Sequence, residues 1–275
     1  MVRPHSLRYR NDHGTATEPS RSTGTVRSTS SVTVLALSLL LFVAAWKALV
    51  VVKNYPAFVL PAPEAVLSRM VSELVGGTLL RHTQFTLIEA LGGFGIALAA
   101  SLLIGYALAH APRLERVFAP QLAATQAIPV VAIAPLIILW VGADIRAKIL
   151  GAALGTFFPI LSSTIVALRA VPRELLDMAH ISGATAWQTI RYVELPLALP
   201  GIFGGVKAGL ALATTGAVVG EFVGGRDGLG ALINIARGLF DTPLMFAALI
   251  TLAALTLSFY LVAMLLERAL VRWEW

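Results

Sequence analysis

An all-α integral membrane fold, with about six transmembrane helices in one bundle, is what this sequence predicts. Three observations predict it. Of the 275 residues, 57% are hydrophobic and 13% charged, whereas a soluble domain carries about a quarter charged residues. The few charges are also spaced far apart. The gaps from Arg27 to Lys47, Glu89 to Arg113, Arg116 to Asp144, Lys148 to Arg169 and Asp241 to Glu267 each enclose a long apolar run. Each run is near or above the ~18–20 residues that cross a bilayer as a helix. A sixth run follows Glu194 and is broken only by Lys207 before Glu221. Finally, no run shows the ~10-residue alternation of a barrel strand. Unpaired backbone groups cost several kcal/mol in lipid, so continuous spans are helices.

The elements follow in order. Residues 1–31 are rich in Ser, Thr and Arg and have little to bury, which predicts a disordered cytoplasmic tail. Residues 32–275 form the transmembrane domain. Its first span, 32–53, is long for a signal-peptide core and lacks a clear small-residue cleavage site. Pro56, Pro61 and Pro63 then mark a turn. Val66, Met70 and Leu74 recur at helical spacing, with Glu64, Arg69 and Glu73 between them; a short amphipathic helix is expected. Span two covers 86–110. Span three, 121–141, contains "IPVVAIAP", where Pro129 and Pro135 should bend or unwind the helix. A bend beside a pathway and a plain packing kink both fit. Span four covers 147–169. Span five, 197–222, carries a ladder of Gly201, Gly205, Gly209, Ala213, Gly216, Gly220 and Gly224. Small residues at this spacing let another backbone approach closely. That backbone belongs either to this chain or to a partner subunit or pathway. Span six covers 244–266.

Lys and Arg set the orientation. Six spans place both termini on one side, where 12 basic residues fall against 7 on the other, so both ends are expected in the cytoplasm. Positive loops facing anionic lipid account for the basic balance without nucleic acid. Lys207, Glu221 and Glu89 lie in or beside spans, where charges face the bundle interior or water. Glu221 is a candidate for a structural ion pair or for a gate. The chain has no cysteine, and its histidines show no metal-ligand spacing. No GxxxxGK[ST], HExxH, GxSxG or pair of intramembrane carboxylates appears. "GGRDGLG" lacks the strand-to-helix setting of a phosphate loop.

Between spans four and five lies "AVPRELLDMAHISGATAWQTIRYVELPLALP". Pro172 suits a first helical position, and Glu174 in the first turn favours the helix dipole. Leu175, Leu176 and Ala179 make an apolar stripe. Gly183 can take the positive φ of a helix terminus. Thr185 and Gln188 have capping-box spacing, so a second helix should start at Ala186, with Trp187 and Ile190 on one face. Pro196 is expected to end it. The result is a helix–Gly–helix knob that fills a groove on another protein or folds back on its own bundle.

This stretch resembles the EAA loop of ABC-importer permeases, a pattern of E-A-A, three residues, Gly, and a later hydrophobic–x–Leu-Pro. Asp177, Met178 and Ala179 stand at the E-A-A positions, and Gly183, Val193, Leu195 and Pro196 match the rest. Asp replaces Glu, and Met replaces the first Ala. The resemblance covers roughly residues 55–270, including "AIPVVAIAPLIILW" and "GEFVGGRDGLG". It points to the branch that carries nitrate, sulfonate, taurine, and pyrimidine or riboflavin-like nutrients.

The resemblance implies a type I ABC-importer permease of the bacterial cytoplasmic membrane, without catalytic residues of its own. It implies a second permease copy, an extracytoplasmic substrate-binding protein, and a separate ATPase subunit that holds ATP and Mg. The loop 171–196 would dock on the ATPase through Glu174, Asp177, Ala179, Gly183 and Trp187. Thr214, Thr215 and Glu221 are the pathway candidates. The favoured cargo is a pyrimidine or riboflavin-like heterocycle. Sulfonate, taurine or nitrate is the alternative, disfavoured because no ring of Arg or Lys marks an anion path. A carrier driven by an ion gradient is the rival of another class. It should show inverted repeats with paired broken helices, and none is evident.

Overall fold

The computed structural model describes residues 29–271. Among them are eleven α-helices, one π turn and no strand. By their contacts they divide into two units, 1–45 and 46–275. The first unit's described part is the start of α1 (Thr29–Lys53), so residues 29–31 of the expected tail are helical. The rest of that tail lies outside the described residues.

The second unit holds α2 (Pro63–Val75), α3 (Thr78–His110), α4 (Pro112–Ala127), α5 (Val130–Val141), α6 (Ile145–Arg169) and α7 (Arg173–Ile181). There follow α8 (Ala186–Thr189), the π turn (Ile190–Glu194), α9 (Leu195–Gly224), α10 (Leu229–Gly238) and α11 (Thr242–Leu270). Within the described residues, five helical stretches are long and apolar enough to cross a membrane: Ala36–Lys53, Thr78–His110, Ile145–Arg169, Ala186–Gly224 and Thr242–Leu270. At 33 residues, α3 is about 50 Å long at 1.5 Å per residue.

Span three differs from the expectation. Residues 121–141 are not one helix: α4 ends at Ala127 and α5 begins at Val130. Pro129 has no N–H to continue the ladder. Its ring pushes Ile128 into an extended conformation, φ −94° and ψ 114°. Pro135, inside α5, does not stop that helix.

The core is a seam of small residues between α3, α6 and α9. α9 runs antiparallel to α6. A Cβ on Gly201 would sit 2.6 Å from the Ala167 side chain, on Gly205 2.5 Å from Ser163, and on Gly209 2.8 Å from Ile160. On Gly216 it would lie 2.7 Å from the Gly151 carbonyl and the Ala152 Cα, and on Gly220 3.1 Å from Lys148. The glycine ladder therefore faces α6 of the same chain, which decides between the two readings left open. α3 runs parallel to α6 and meets it the same way, with a Cβ on Gly93 falling 2.5 Å from Ala152 and one on Gly105 2.9 Å from Thr164. Lipid tails are as apolar as side chains, so close contact and interhelical hydrogen bonds hold such helices together. Thr156 Oγ1 donates to the Gly209 carbonyl across the α6–α9 seam at 3.2 Å, and Ser101 Oγ donates to the Phe157 carbonyl across α3–α6 at 2.7 Å.

The amphipathic α2 is tied to the start of α11. Arg69 donates to Asp241 at 2.8 Å, and Asp241 in turn accepts from the Leu244 amide and caps α11. Val66 is the buried residue of α2. At the other end of the bundle Lys207 of α9 pairs with Glu267 of α11 at 2.9 Å, so the intramembrane lysine has a carboxylate partner.

Candidate functional site: an exposed helical knob and a buried polar clamp

The knob stands at the end of the bundle where α6 stops and α9 starts. Helix α7 begins at Arg173, with Pro172 as the flanking residue, one position later than expected. Its end is a Schellman turn. The Gly183 amide donates to the His180 carbonyl and the Ala184 amide to the Ala179 carbonyl, each at 3.0 Å. Gly183 has φ +78°, a conformation that costs any residue with a Cβ. The capping box forms as expected. The Gln188 amide donates to Thr185 Oγ1, and Gln188 Oε1 accepts from the Thr185 amide at 2.8 Å.

Two details depart from the sequence reading. Pro196 does not end the second helix: helical structure runs without interruption from Ala186 to Gly224 through the π turn. Proline is tolerated near a helix start, because its missing N–H is one of the first-turn orphans. Here Pro196 sits in the first turn of α9, directly after the π turn. Trp187 and Ile190 also differ in environment. Trp187 is exposed, while Ile190 is half-buried beside Leu102 and Ile202.

One face of the knob is anchored and the other is free. Leu176 packs with Ala167, Val171, Ala198 and Ile202. Met178, Ile181, Trp187 and Tyr192 are 60%, 88%, 67% and 71% exposed. Met178 and Tyr192 line an apolar groove of about 580 Å³ together with Leu175, Ala179, Val193 and Pro196 among others. Exposed apolar groups gathered on one patch mark an interaction surface. Of the five expected coupling residues, Glu174, Asp177, Gly183 and Trp187 are exposed on the knob, and Ala179 is half-buried in the groove.

The pathway candidates do not converge. Thr214 is buried and its hydroxyl donates back to the Leu210 carbonyl. Thr215 lies on the uncovered side of α9, in an exposed stripe with Gly204, Ala208 and Leu212. Glu221 is fully buried at the end of the bundle far from the knob. No ion pair to Glu221 forms among the described residues. One carboxylate oxygen accepts from Thr86 Oγ1 at 2.6 Å and the other from the Gly230 amide at the start of α10. A carboxylate at a helix N-terminus is favoured by the macrodipole.

Sequence reading missed the rest of this clamp. Thr86 Oγ1 also accepts from the Leu229 amide at 2.8 Å. His82 Nδ1 lies 2.8 Å from the Gly228 carbonyl. Gly228 has φ +112°, and a Cβ on it would fall 2.1 Å from the Glu221 carboxyl. Lys148 reaches Glu89 at 2.8 Å and the Asp227 carbonyl at 2.9 Å. The stretch "GEFVGGRDGLG" is thus a turn wrapped on a buried acid. Glu89 and Glu221 are both buried here, Glu89 paired with Lys148 and Glu221 held by Thr86 and the Gly230 amide. Only the flagged positions of Glu89 and Glu221 hinted at this; Lys148 read as an ordinary loop charge.

Comparison with known proteins agrees with this architecture. The family described as "Binding-protein-dependent transport system inner membrane component" matches residues 93–273. The riboflavin transport system permease protein RibX of Chloroflexus aurantiacus is 62% identical over 240 residues, covering 87% of this chain and 90% of that one. A putative aliphatic sulfonates permease, SsuC of Bacillus subtilis, is 34% identical over 235 residues, 84% of each chain. The formylaminopyrimidine permease ThiX of Halalkalibacterium halodurans is 31% identical over 217 residues, 79% of this chain and 86% of that one. Among solved structures, the inward-facing MetNI methionine ABC transporter in its native crystal form aligns with TM-score 0.60 at 22% identity. That alignment covers 73% of this chain and 97% of that one.

Proposed function

Because the chain belongs to the family of inner-membrane components of binding-protein-dependent transport systems and is a multi-pass permease subunit, we propose that its knob, residues 173–196, is the lever on which a separate ATPase subunit acts. The observation that carries this is the exposed apolar groove behind Gly183, braced on the bundle by Leu176. ATP and Mg belong to that partner. ATP shifts the assembly only through its differential affinity for two states of the ATPase. The second half of the knob, α8 and the π turn, continues into α9 as one helical stretch from Ala186 to Gly224, so a displacement of that half reaches the far end of the bundle directly. This chain supplies path and lever and performs no covalent step.

The cargo proposed is riboflavin or a compound with a similar heterocycle. Its support is the 62% identity to a riboflavin permease, against 34% for the sulfonate one and 31% for the pyrimidine one. A second copy of the chain completes the path, with the uncovered stripe of α9 around Thr215 facing it. An extracytoplasmic binding protein delivers the cargo at the end of the bundle away from the knob. The family match leaves an ion-gradient carrier without support. The knob is placed in the cytoplasm together with both termini. The short α5, with the end of α4, then makes the sixth crossing.

The test is co-purification of the tagged chain in mild detergent, assayed for a bound ATPase, followed by uptake of labelled riboflavin into reconstituted vesicles. Recovery of an ATPase lost on Trp187→Ala supports the lever. No uptake of labelled riboflavin, with uptake of a labelled sulfonate by the same vesicles, would overturn the cargo. A C-terminal tag reachable from outside sealed cells would overturn the orientation.

A further inference from the structure

A second cavity opens on the knob end of the bundle, on another side of α7 from the apolar groove. Its volume is about 540 Å³, and it lies between the end of α3, the start of α4, the end of α6 and the start of α7. Its charged lining is unbalanced. Arg116, Arg169 and Arg173 face it together with the single carboxylate Glu115. His110, also at the cavity, is engaged with Glu194 of the π turn at 3.1 Å. Arg169 is fixed in place, paired with Glu115 and donating to the Leu108 carbonyl. Arg116 and Arg173 make no ion pair among the described residues, and both are exposed. Glu174 and Asp177, the acidic residues of α7, do not line this cavity.

Guanidinium groups match phosphate oxygens in geometry as well as charge. The depth of the cavity says which phosphate. Helices α3 and α6, both of crossing length, end at His110 and Arg169; in the orientation proposed above these are the cytoplasmic ends of the two spans. Leu168 and Val171 give it an apolar floor. A site with a cationic rim and an apolar floor at that level suits an amphiphile, and basic pockets between helices at the cytoplasmic surface bind anionic headgroups.

We propose that this groove binds the phosphodiester headgroup of an anionic membrane phospholipid. Arg116 and Arg173 clamp the phosphate, and Arg169 supplies a fixed third charge. The lipid bridges α4 to the first residue of α7, so it steadies the base of the knob. The choice of the cytoplasmic leaflet rests on the orientation proposed above, which the tag experiment tests separately.

The experiment uses the purified full-length chain in detergent. Phosphatidylglycerol, phosphatidylcholine or inorganic phosphate is titrated in, with binding read by native mass spectrometry and thermal unfolding. The parent is compared with Arg116→Gln/Arg173→Gln, whose unfolding midpoint without lipid should match the parent. Retained phosphatidylglycerol that raises the midpoint, with affinity about tenfold or more weaker in the double variant, is the expected result. Equal binding of phosphatidylcholine, or unchanged phosphatidylglycerol binding by the variant, overturns the site. Inorganic phosphate as effective as the lipid overturns the lipid source. No lipid effect in either protein overturns the proposal and leaves the cavity as a surface for the ATPase.

Discussion

Replacing Gly183 isolates backbone conformation as the cause of coupling. The residue has φ +78°, and a Cβ built on it meets nothing within 4 Å. A substitution there costs conformation and no clash. For an L-residue the left-handed region costs roughly 1–2 kcal/mol, and the cost is greater for a β-branched side chain. That shifts the turn's local equilibrium about 5–30-fold away from the Schellman geometry. The bundle does not feel it, because the turn is exposed and the anchoring contact is Leu176. Gly183→Ala and Gly183→Leu should therefore lower coupled uptake about fivefold or more, and the β-branched Gly183→Val should lower it further. Gly183→Asn, which tolerates this region, should retain most of it. Membrane insertion and thermal unfolding should stay at parent values throughout. The assay is cargo uptake per ATP hydrolysed in vesicles holding the assembled transporter. Normal uptake by Gly183→Val would refute the conformational argument. An Asn variant as impaired as Val would mean that the partner rejects any side chain, and φ would not be the cause.

Other outcomes follow from the bundle. Gly216→Leu must push backbone atoms of Gly151 and Ala152 that lie 2.7 Å from its Cβ; it should lose about 3 kcal/mol or more, visible as misfolded protein in size-exclusion chromatography. Gly204→Ala, with nothing within 4 Å, should be neutral for folding. Glu221→Gln has one acceptor oxygen for two donors, Thr86 and the Gly230 amide; a loss of about 1–3 kcal/mol and faster hydrogen exchange in the first turn of α10 are expected. Lys148→Met should cost about 3–5 kcal/mol by stranding buried Glu89. Lys148→Met/Glu89→Gln should cost less than the sum of its single variants, and strict additivity would show that the two are not paired.

Much of the knob was readable because its signals are local. Glycine at a helix terminus, Thr–x–x–Gln at a helix start and an apolar stripe of three residues act within a dozen positions. Reading failed where a local rule met a stronger constraint. Pro196 looked like a stop, yet at the start of a long helix it interrupts nothing. Pro129 read as a bend or an unwound point inside one span, and it divides two helices. The glycine ladder showed that some backbone must come close, and spacing carries no information about which chain supplies it.

The sequence alone determined that the chain is helical and membrane-embedded, because length and apolarity leave lipid-immersed backbone no other choice. It also determined the knob, whose turn and cap are set by the φ and hydrogen-bonding habits of single residues. Tertiary structure decided what meets across distance. It set Gly216 against α6, wrapped the turn after Gly225 around Glu221, and brought Glu89 to Lys148, 59 residues on. Those contacts depend on how helices are rotated against one another. Helix rotation in lipid follows from the packing of all neighbours at once, and no stretch of sequence encodes it alone.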